Sequence, residues 1–273
     1  MNMNGNLSEN LLTPITTMKA EWLALSAWYG HVPFAFWIIE NLKPSTFVEL
    51  GTHNGVSYCA FNQAIQKLKL PTKSYAIDTW QGDEHAGFYG SEVFRELSAY
   101  HDEKYGSFSR LVRSTFDEAV SHFPDKSIDL LHIDGLHTYE AVKHDYETWL
   151  PKLTDNSVVL FHDINVRERG FGVWQFWEEL SKQYPSFSFL HYHGLGVIGL
   201  GENLPETIKA LLAANSNPQL VVEIREIFTQ LGMDIVKSKT IQEQQAEIAR
   251  LSQELEKTKQ ELQQFKSLLK QAL

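Results

Sequence analysis

Two short stretches carry groups able to move a proton or hold a cation. "LLHIDGLHTYEAVKHD" (130–145) sets His132, Asp134, His137, His144 and Asp145 around one glycine, and "LFHD" (160–163) adds His162 and Asp163. A hydroxyl with a pKa of about 12–14 is a weak nucleophile, and a neutral histidine can take its proton as the oxygen forms a new bond. His137, steadied by Asp134, is the first candidate for that base, and His162 the second. Asp134, His162 and Asp163 together supply three ligands for one divalent cation. Plainer roles compete with these. His132 alternates with Leu131 and Ile133 in an apolar run, as a core histidine does. Asp134 suits a helix cap, and His144 and Asp145 suit a solvated helix face.

These groups need strands to bring them together, and the sequence supplies an alternation of apolar runs and amphipathic stretches. "TFVEL" (46–50), "SYAID" (74–78), "FSRLV" (108–112), "IDLLHID" (128–134) and "SVVLFHD" (157–163) read as strands, the first four each followed by a helix. Such alternation predicts a largely parallel, doubly wound sheet. "FSFLHYH" and "LGVIGLG" predict an antiparallel pair at one edge, and two helices follow them. Before the first strand, residues up to about 20 read as a loose arm. "EWLALSAWYGHVPFAFWIIENL" reads as helical, with Pro33 marking a break or a new first turn. On the helix after "LLHID", Tyr139, Val142, Tyr146 and Trp149 fall on one buried face, with Glu140–His144 and Lys143–Glu147 pairs outside.

In a sheet of this kind a ligand lies beyond the carboxyl ends of the strands, at the switch point. "VELGTHNGVSY" leaves the first strand through Gly51 and Gly55, which permit a tight turn and close approach. A nicotinamide fingerprint would place glycines where His53 and Val56 stand. Glu49 before the first glycine suits a cofactor bearing an ammonium and a sulfonium better than a pyrophosphate. Asp78 ends the second strand, where a carboxylate takes ribose hydroxyls. Trp80 either covers an adenine or packs in the core. Ser114 and Thr115 end the third strand, either at an adenine edge or as a helix cap.

Taken together, E-x-G-x-x-x-G after strand 1, an acid ending strand 2, D-G-x-H-x-Y-E after strand 4 and "HD" ending strand 5 resemble class I S-adenosylmethionine-dependent methyltransferases. Within them the chain looks most like the branch of macrocin-type and related sugar and small-molecule O-methyltransferases, over about residues 40–200. The resemblance implies an α/β, doubly wound, mostly parallel seven-stranded sheet of Rossmann-like methyltransferase type. It implies that Glu49, Gly51, Thr52, Asn54 and Gly55 meet the methionine part, Asp78 and Trp80 the nucleoside, Ser114 and Thr115 the adenine, with Asp134 beside them. Members also place carboxylates from strands 4 and 5, here Asp134 and Asp163, on Mg²⁺ that binds the acceptor. This sequence departs from them in having His162 where an acid is common, and histidine is a poor Mg²⁺ ligand.

"DTWQGDEHAGFYGSEVF" (78–94) occupies the place of the family's acceptor lid, with Asp83, His85 and Tyr89 as recognition groups. In "NVRERGFGVWQFW", Arg167 or Arg169 is placed to hold an anionic acceptor, while Trp174 and Trp177 suit the core. From about 239 the composition turns to Gln, Glu, Lys and Leu. Ile241, Ile248, Leu255, Leu262 and Leu269 recur every seventh residue, with Gln244, Leu251, Thr258, Phe265 and Ala272 three places on. That is an a/d seam. Glu254 and Glu261 at g then face Lys259 and Lys266 at e across a parallel pair or trimer. The heptads stop mid-repeat at Leu273, as in a piece of a longer protein.

The bulk numbers bound the rest. A formal charge of −10 over 273 residues argues against nucleic acid. One cysteine, Cys59, excludes an internal disulfide and fits a reducing compartment. No apolar run approaches the roughly 20 residues of a membrane span. The N-terminus lacks a basic start followed by an apolar stretch, so the cytoplasm is the expected location. The expected organisation is an arm and helices over 1–40, a methyltransferase domain over 41–235 and a coiled coil over 236–273. The expected activity is methyl transfer to a hydroxyl of a sugar or glycan, with a small natural product as the alternative acceptor. An inactive scaffold acting through its coiled coil is the alternative of another class, and a nicotinamide oxidoreductase is disfavoured.

Overall fold

The computed structural model describes residues 11–272. The first ten residues of the expected arm, and Leu273, lie outside the described residues. Seven strands form one sheet: β1 (Thr46–Leu50), β2 (Lys73–Asp78), β3 (Ser109–Arg113), β4 (Ile128–Ile133), β5 (Leu153–His162), β6 (Ser186–Phe189) and β7 (Leu195–Gly199). Their order is β3-β2-β1-β4-β5-β7-β6. The first five run parallel, and β7 lies antiparallel between β5 and β6. This is the largely parallel, doubly wound sheet that the alternation predicts, in the seven-stranded Rossmann-like form that the resemblance implies. The order reverses between β1 and β4, so the switch point falls at their carboxyl ends.

The helices are α1 (Val32–Leu42), α2 (Val56–Leu68), α3 (Ser91–Tyr105), α4 (Phe116–Ala119), α5 (Tyr139–Trp149), α6 (Val173–Gln183), α7 (Glu206–Ala213) and α8 (Pro218–Ala272). One face of the sheet is covered by aromatic packing from α1, α2 and α8, including Trp37, Phe61 and Phe228; the other takes Trp149, Phe176 and Trp177 from α5 and α6. Cys59 is buried in α2.

Two expectations change. The apolar stretch from Glu21 is not one helix: α1 starts at Val32, with Pro33 in its first turn, where a missing N–H costs nothing. Residues 21–28 instead lie irregularly over the body. Trp22 stacks on Tyr100 at 4.4 Å and donates to the Asn54 carbonyl at 2.7 Å, and Trp28 is buried. The long-range anchors replace helical ones. Second, α7 stands apart as expected, but the later of the two late helices and the heptads are not separate, because α8 runs unbroken across the expected boundary at 235/236. Its first turns bury Leu220, Ile224, Phe228 and Ile235, whereas residues 241–269 are exposed throughout. No helix among the described residues is long and apolar enough to cross a membrane.

Candidate functional site

Strand register explains why the chemical groups meet. Leu50 pairs with Ile133, and Ile133 with Phe161. The next residues, Asp134 and His162, therefore leave the sheet side by side. A cleft of about 620 Å³ opens over these strand ends, within the usual range for small-molecule sites.

On the β1–β2 side the backbone does the positioning. Gly51 has φ +84°, and a Cβ there would lie 2.1 Å from the Asp134 carbonyl oxygen. Gly55 has φ +74°, and its Cβ would strike Leu97. Only glycine lets this loop take that path. Asp78 Oδ2 accepts from the Thr52 and His53 amides at 2.8 and 2.9 Å, and Oδ1 accepts from the Trp80 amide at 2.7 Å. The carboxylate is fixed, and Oδ1 keeps a lone pair for a ligand hydroxyl.

On the β4–β5 side, side chains hold one another. His162 Nδ1 lies 3.1 Å from Asp134 Oδ1 and 3.3 Å from Asp163 Oδ2. His137 Nε2 lies 2.9 Å from Asp163 Oδ2 and 3.5 Å from Asp134 Oδ1. His193 Nδ1 reaches the other oxygen of Asp163 at 2.8 Å. His137 is flanked by Phe171, stacked at 4.6 Å, and His85 at 5.6 Å. Burial works against the charge on Asp134, Asp163, His137 and His162, but the ion pairs outweigh it. Both carboxylates are held below their ordinary range, His162 is raised, and His137 is raised to about 9. At neutral pH His137 thus carries a proton shared with Asp163, rather than standing empty beside Asp134.

Of the sequence candidates, Gly51, Thr52, Asn54, Asp78, Asp83, His85, Tyr89, Thr115, Asp134, His137, His162 and Asp163 line the cleft. Gly55 shapes the loop from behind. Four do not face it. Glu49 is fully buried beside its cross-strand neighbour His132, with Oε2 2.8 Å from His132 Nδ1. Burial raises its pKa and the histidine offsets this only in part. Trp80 is buried, packs on Phe94 and donates to the His53 carbonyl. The Ser114 hydroxyl turns to Glu118. Arg167 pairs with Glu178 and lies over Trp174, outside the cleft. Arg169 is the arginine that lines it, donating to the His85 carbonyl at 2.6 Å. Thr115 lines the wall but spends its hydroxyl capping α4. Asp145 is buried, not solvated, and His144 pairs with Asp117 instead of Glu140.

The residues from Leu25 to Trp28, His53, Phe171 and His193 also line the cleft and were not expected there. His193 alone had a usable signal. Because β7 runs antiparallel, with Leu195 opposite His162, the residues just before it must lie at the carboxyl end of β5.

Residues 48–164 match the family model described as a methyltransferase domain. The Sinorhizobium fredii protein named uncharacterized protein y4gI is 47% identical over 215 residues, which are 79% of this chain and 24% of that one. The chain thus spans about a quarter of that relative's length. Among solved structures, the methyltransferase PaMTH1 of Podospora anserina, bound to S-adenosylhomocysteine, shares 14% identity with a TM-score of 0.47, covering 74% of this chain and 89% of that one. The O-methyltransferase TomG of Streptomyces achromogenes, described as involved in tomaymycin synthesis and in complex with S-adenosylmethionine, shares 14% identity with a TM-score of 0.47, covering 74% and 91%. At that level of similarity no residue role transfers from either structure.

Proposed function

We propose that the chain is an S-adenosylmethionine-dependent O-methyltransferase whose acceptor is a hydroxyl of a sugar or glycan. One observation carries the reading: Asp78 and Asp83 line the same cleft as the glycine loop with no cationic side-chain partner among the described residues, while Asp134 and Asp163 face the imidazoles of His137 and His162, and the lining holds one arginine, Arg169. That charge balance suits a sulfonium and an ammonium and repels a pyrophosphate. Asp78 would take the ribose and the Gly51–Gly55 loop would follow the methionine part. With Glu49 fully buried against His132, the ammonium falls to carbonyls and to the facing acids. The matched methyltransferase domain supports the same assignment.

Mg²⁺ prefers oxygen donors alone, and the third donor beside Asp134 and Asp163 is the His162 ring nitrogen. The cluster does not fit Mg²⁺. The chemistry left is that of the chain's own groups. His137 would take the acceptor's proton while the cleft holds the hydroxyl in line with the sulfonium methyl. A base must be empty, so its own proton has to leave first. The sugar reading leans on the polar groups Asp83, His85 and Arg169 set among the rings of Tyr89 and Phe171; a small natural product is the other acceptor to test. The buried lone Cys59 and the charge of −10 fit a cytoplasmic enzyme.

The exposed heptads favour a second element of the proposal, a parallel homo-oligomer through about 239–273. Ile241, Ile248, Leu255, Leu262 and Leu269 are 48–63% exposed, a solvent-facing apolar column that a lone helix has no use for.

Calorimetry with S-adenosylhomocysteine and with NAD⁺ tests the cofactor, with binding of the first only as the expected result. No binding of S-adenosylhomocysteine removes the methyltransferase reading. Sedimentation of the full chain tests the oligomer, and a monomer mass overturns it.

A further inference from the structure

Among the charged groups of the cleft, Arg169 is set apart by how it is held. The Phe171 N–H donates to the Glu168 carbonyl at 3.0 Å, closing a tight turn after β5. Its two central residues, Arg169 and Gly170, have φ of +54° and +75°. Glycine, asparagine and aspartate are the usual residues at both central places of such a turn, so an arginine at the first is held against its backbone preference. The turn brings the guanidinium to the cleft wall, where one nitrogen donates to the His85 carbonyl at 2.6 Å. Arg169 makes no ion pair with an acid among the described residues, although Asp78, Asp83, Asp134 and Asp163 line the same cleft.

Those acids are engaged elsewhere. Asp134 and Asp163 face the imidazoles of His137 and His162. Asp78 is held by backbone amides, and Asp83 Oδ1 accepts from the His85 and Ala86 amides, each at 2.7 Å. The charges of Asp78 and Asp83 both act on His53, in the glycine loop, which puts the uncompensated acids at the cofactor end. The uncompensated cation is at the other end. The guanidinium carbon of Arg169 lies 5.7 Å from the Phe171 ring centre, and the His137 ring stacks on the same phenyl group at 4.6 Å. A guanidinium presents a planar fork of N–H groups that matches the edge of a carboxylate.

We propose that the acceptor is an acidic sugar of the hexuronate class, gripped through its carboxylate by Arg169 while a ring hydroxyl lies at His137. The assignment rests on the methyl-transfer reading and narrows its acceptor. A carboxylate fits this place better than a phosphate. One guanidinium balances one negative charge, and a second would stand uncompensated in a cleft that already holds four acids.

Ligand-observed NMR titrations of the full chain, saturated with S-adenosylhomocysteine, test this with D-glucuronate, D-glucose and D-glucose 6-phosphate. Glucuronate should bind at least about tenfold more tightly than either other sugar, the scale of one charge-assisted pair. Arg169→Gln, which keeps a donor for the His85 carbonyl and removes the charge, should bring glucuronate to the glucose level. No binding of glucuronate, equal affinity for glucose, a preference for the phosphate, or an unchanged preference in Arg169→Gln overturns the proposal. S-adenosylhomocysteine binding is read first. Its failure ends the methyltransferase reading and this one with it, whereas binding without a glucuronate preference ends this one alone.

Discussion

The two halves of the cleft hold their carboxylates in opposite ways. Asp78 is gripped by three backbone amides, which do not titrate and cannot be altered by changing a side chain. Asp134 and Asp163 are gripped by imidazoles, each of which can gain or lose a proton. The first arrangement suits a binding site that must not vary. The second suits chemistry, because its charge can be redistributed during a reaction. A third acid, Asp145, sits beneath the loop at Gly135 with no hydrogen bond or ion pair among the described residues, and belongs to neither.

The largest effect that would break this contrast is at the imidazole end. His137→Ala should lower kcat by about 10²–10⁴-fold while changing S-adenosylhomocysteine affinity less than about twofold. Near-full activity would shift the base elsewhere. Next comes the unpaired acid. Burial raises the Asp145 pKa to about 7, with the His144 charge opposing and Asp117 assisting the rise. A raised folded pKa gives stability that is present below the unfolded value of about 3.8 and lost as pH climbs through about 7. Asp145→Asn should therefore stabilise the protein at pH 8, by up to about 4 kcal/mol, and much less at pH 4. Thermal melts at both pH values check the sign.

At the amide end, Asp78→Ala should weaken S-adenosylhomocysteine binding about 100-fold, as it removes a charged partner and leaves three amides unpaired. The smallest effect sharpens the acceptor side. Arg169→Ala should raise the acceptor KM about tenfold, whereas Arg167→Ala, on the outer surface, should leave it within about twofold.

The same contrast describes what could be read from the sequence. Asp78, Asp134, His162 and Asp163 could be placed in the cleft because each falls at or just past a strand's carboxyl end, where topology alone sends a residue to the switch point, and His137 because the short loop from β4 to α5 keeps it there. Glu49 misled because β1 is buried on both faces, so alternation does not reveal which face an acid takes; its partner His132 comes from a strand more than eighty residues away. Of the two readings open for Trp80 the core one holds, as Trp80 sits at φ +51° and is buried, and Arg167 is drawn to Glu178 and Trp174 outside the cleft. The stretch before α1 has the apolar content of a helix, yet its anchors are tertiary: Trp22 on Tyr100 and Asn54, and Trp28 against His132.

At a rise of 1.5 Å per residue, the exposed part of α8 extends about 50 Å past the last turn that touches the body. Two chains joined along it would carry their clefts as paired heads on one stalk. On a polymer with many repeated hydroxyls, one head's grip would hold the other close to the next repeat, so residence on the polymer would outlast either single encounter.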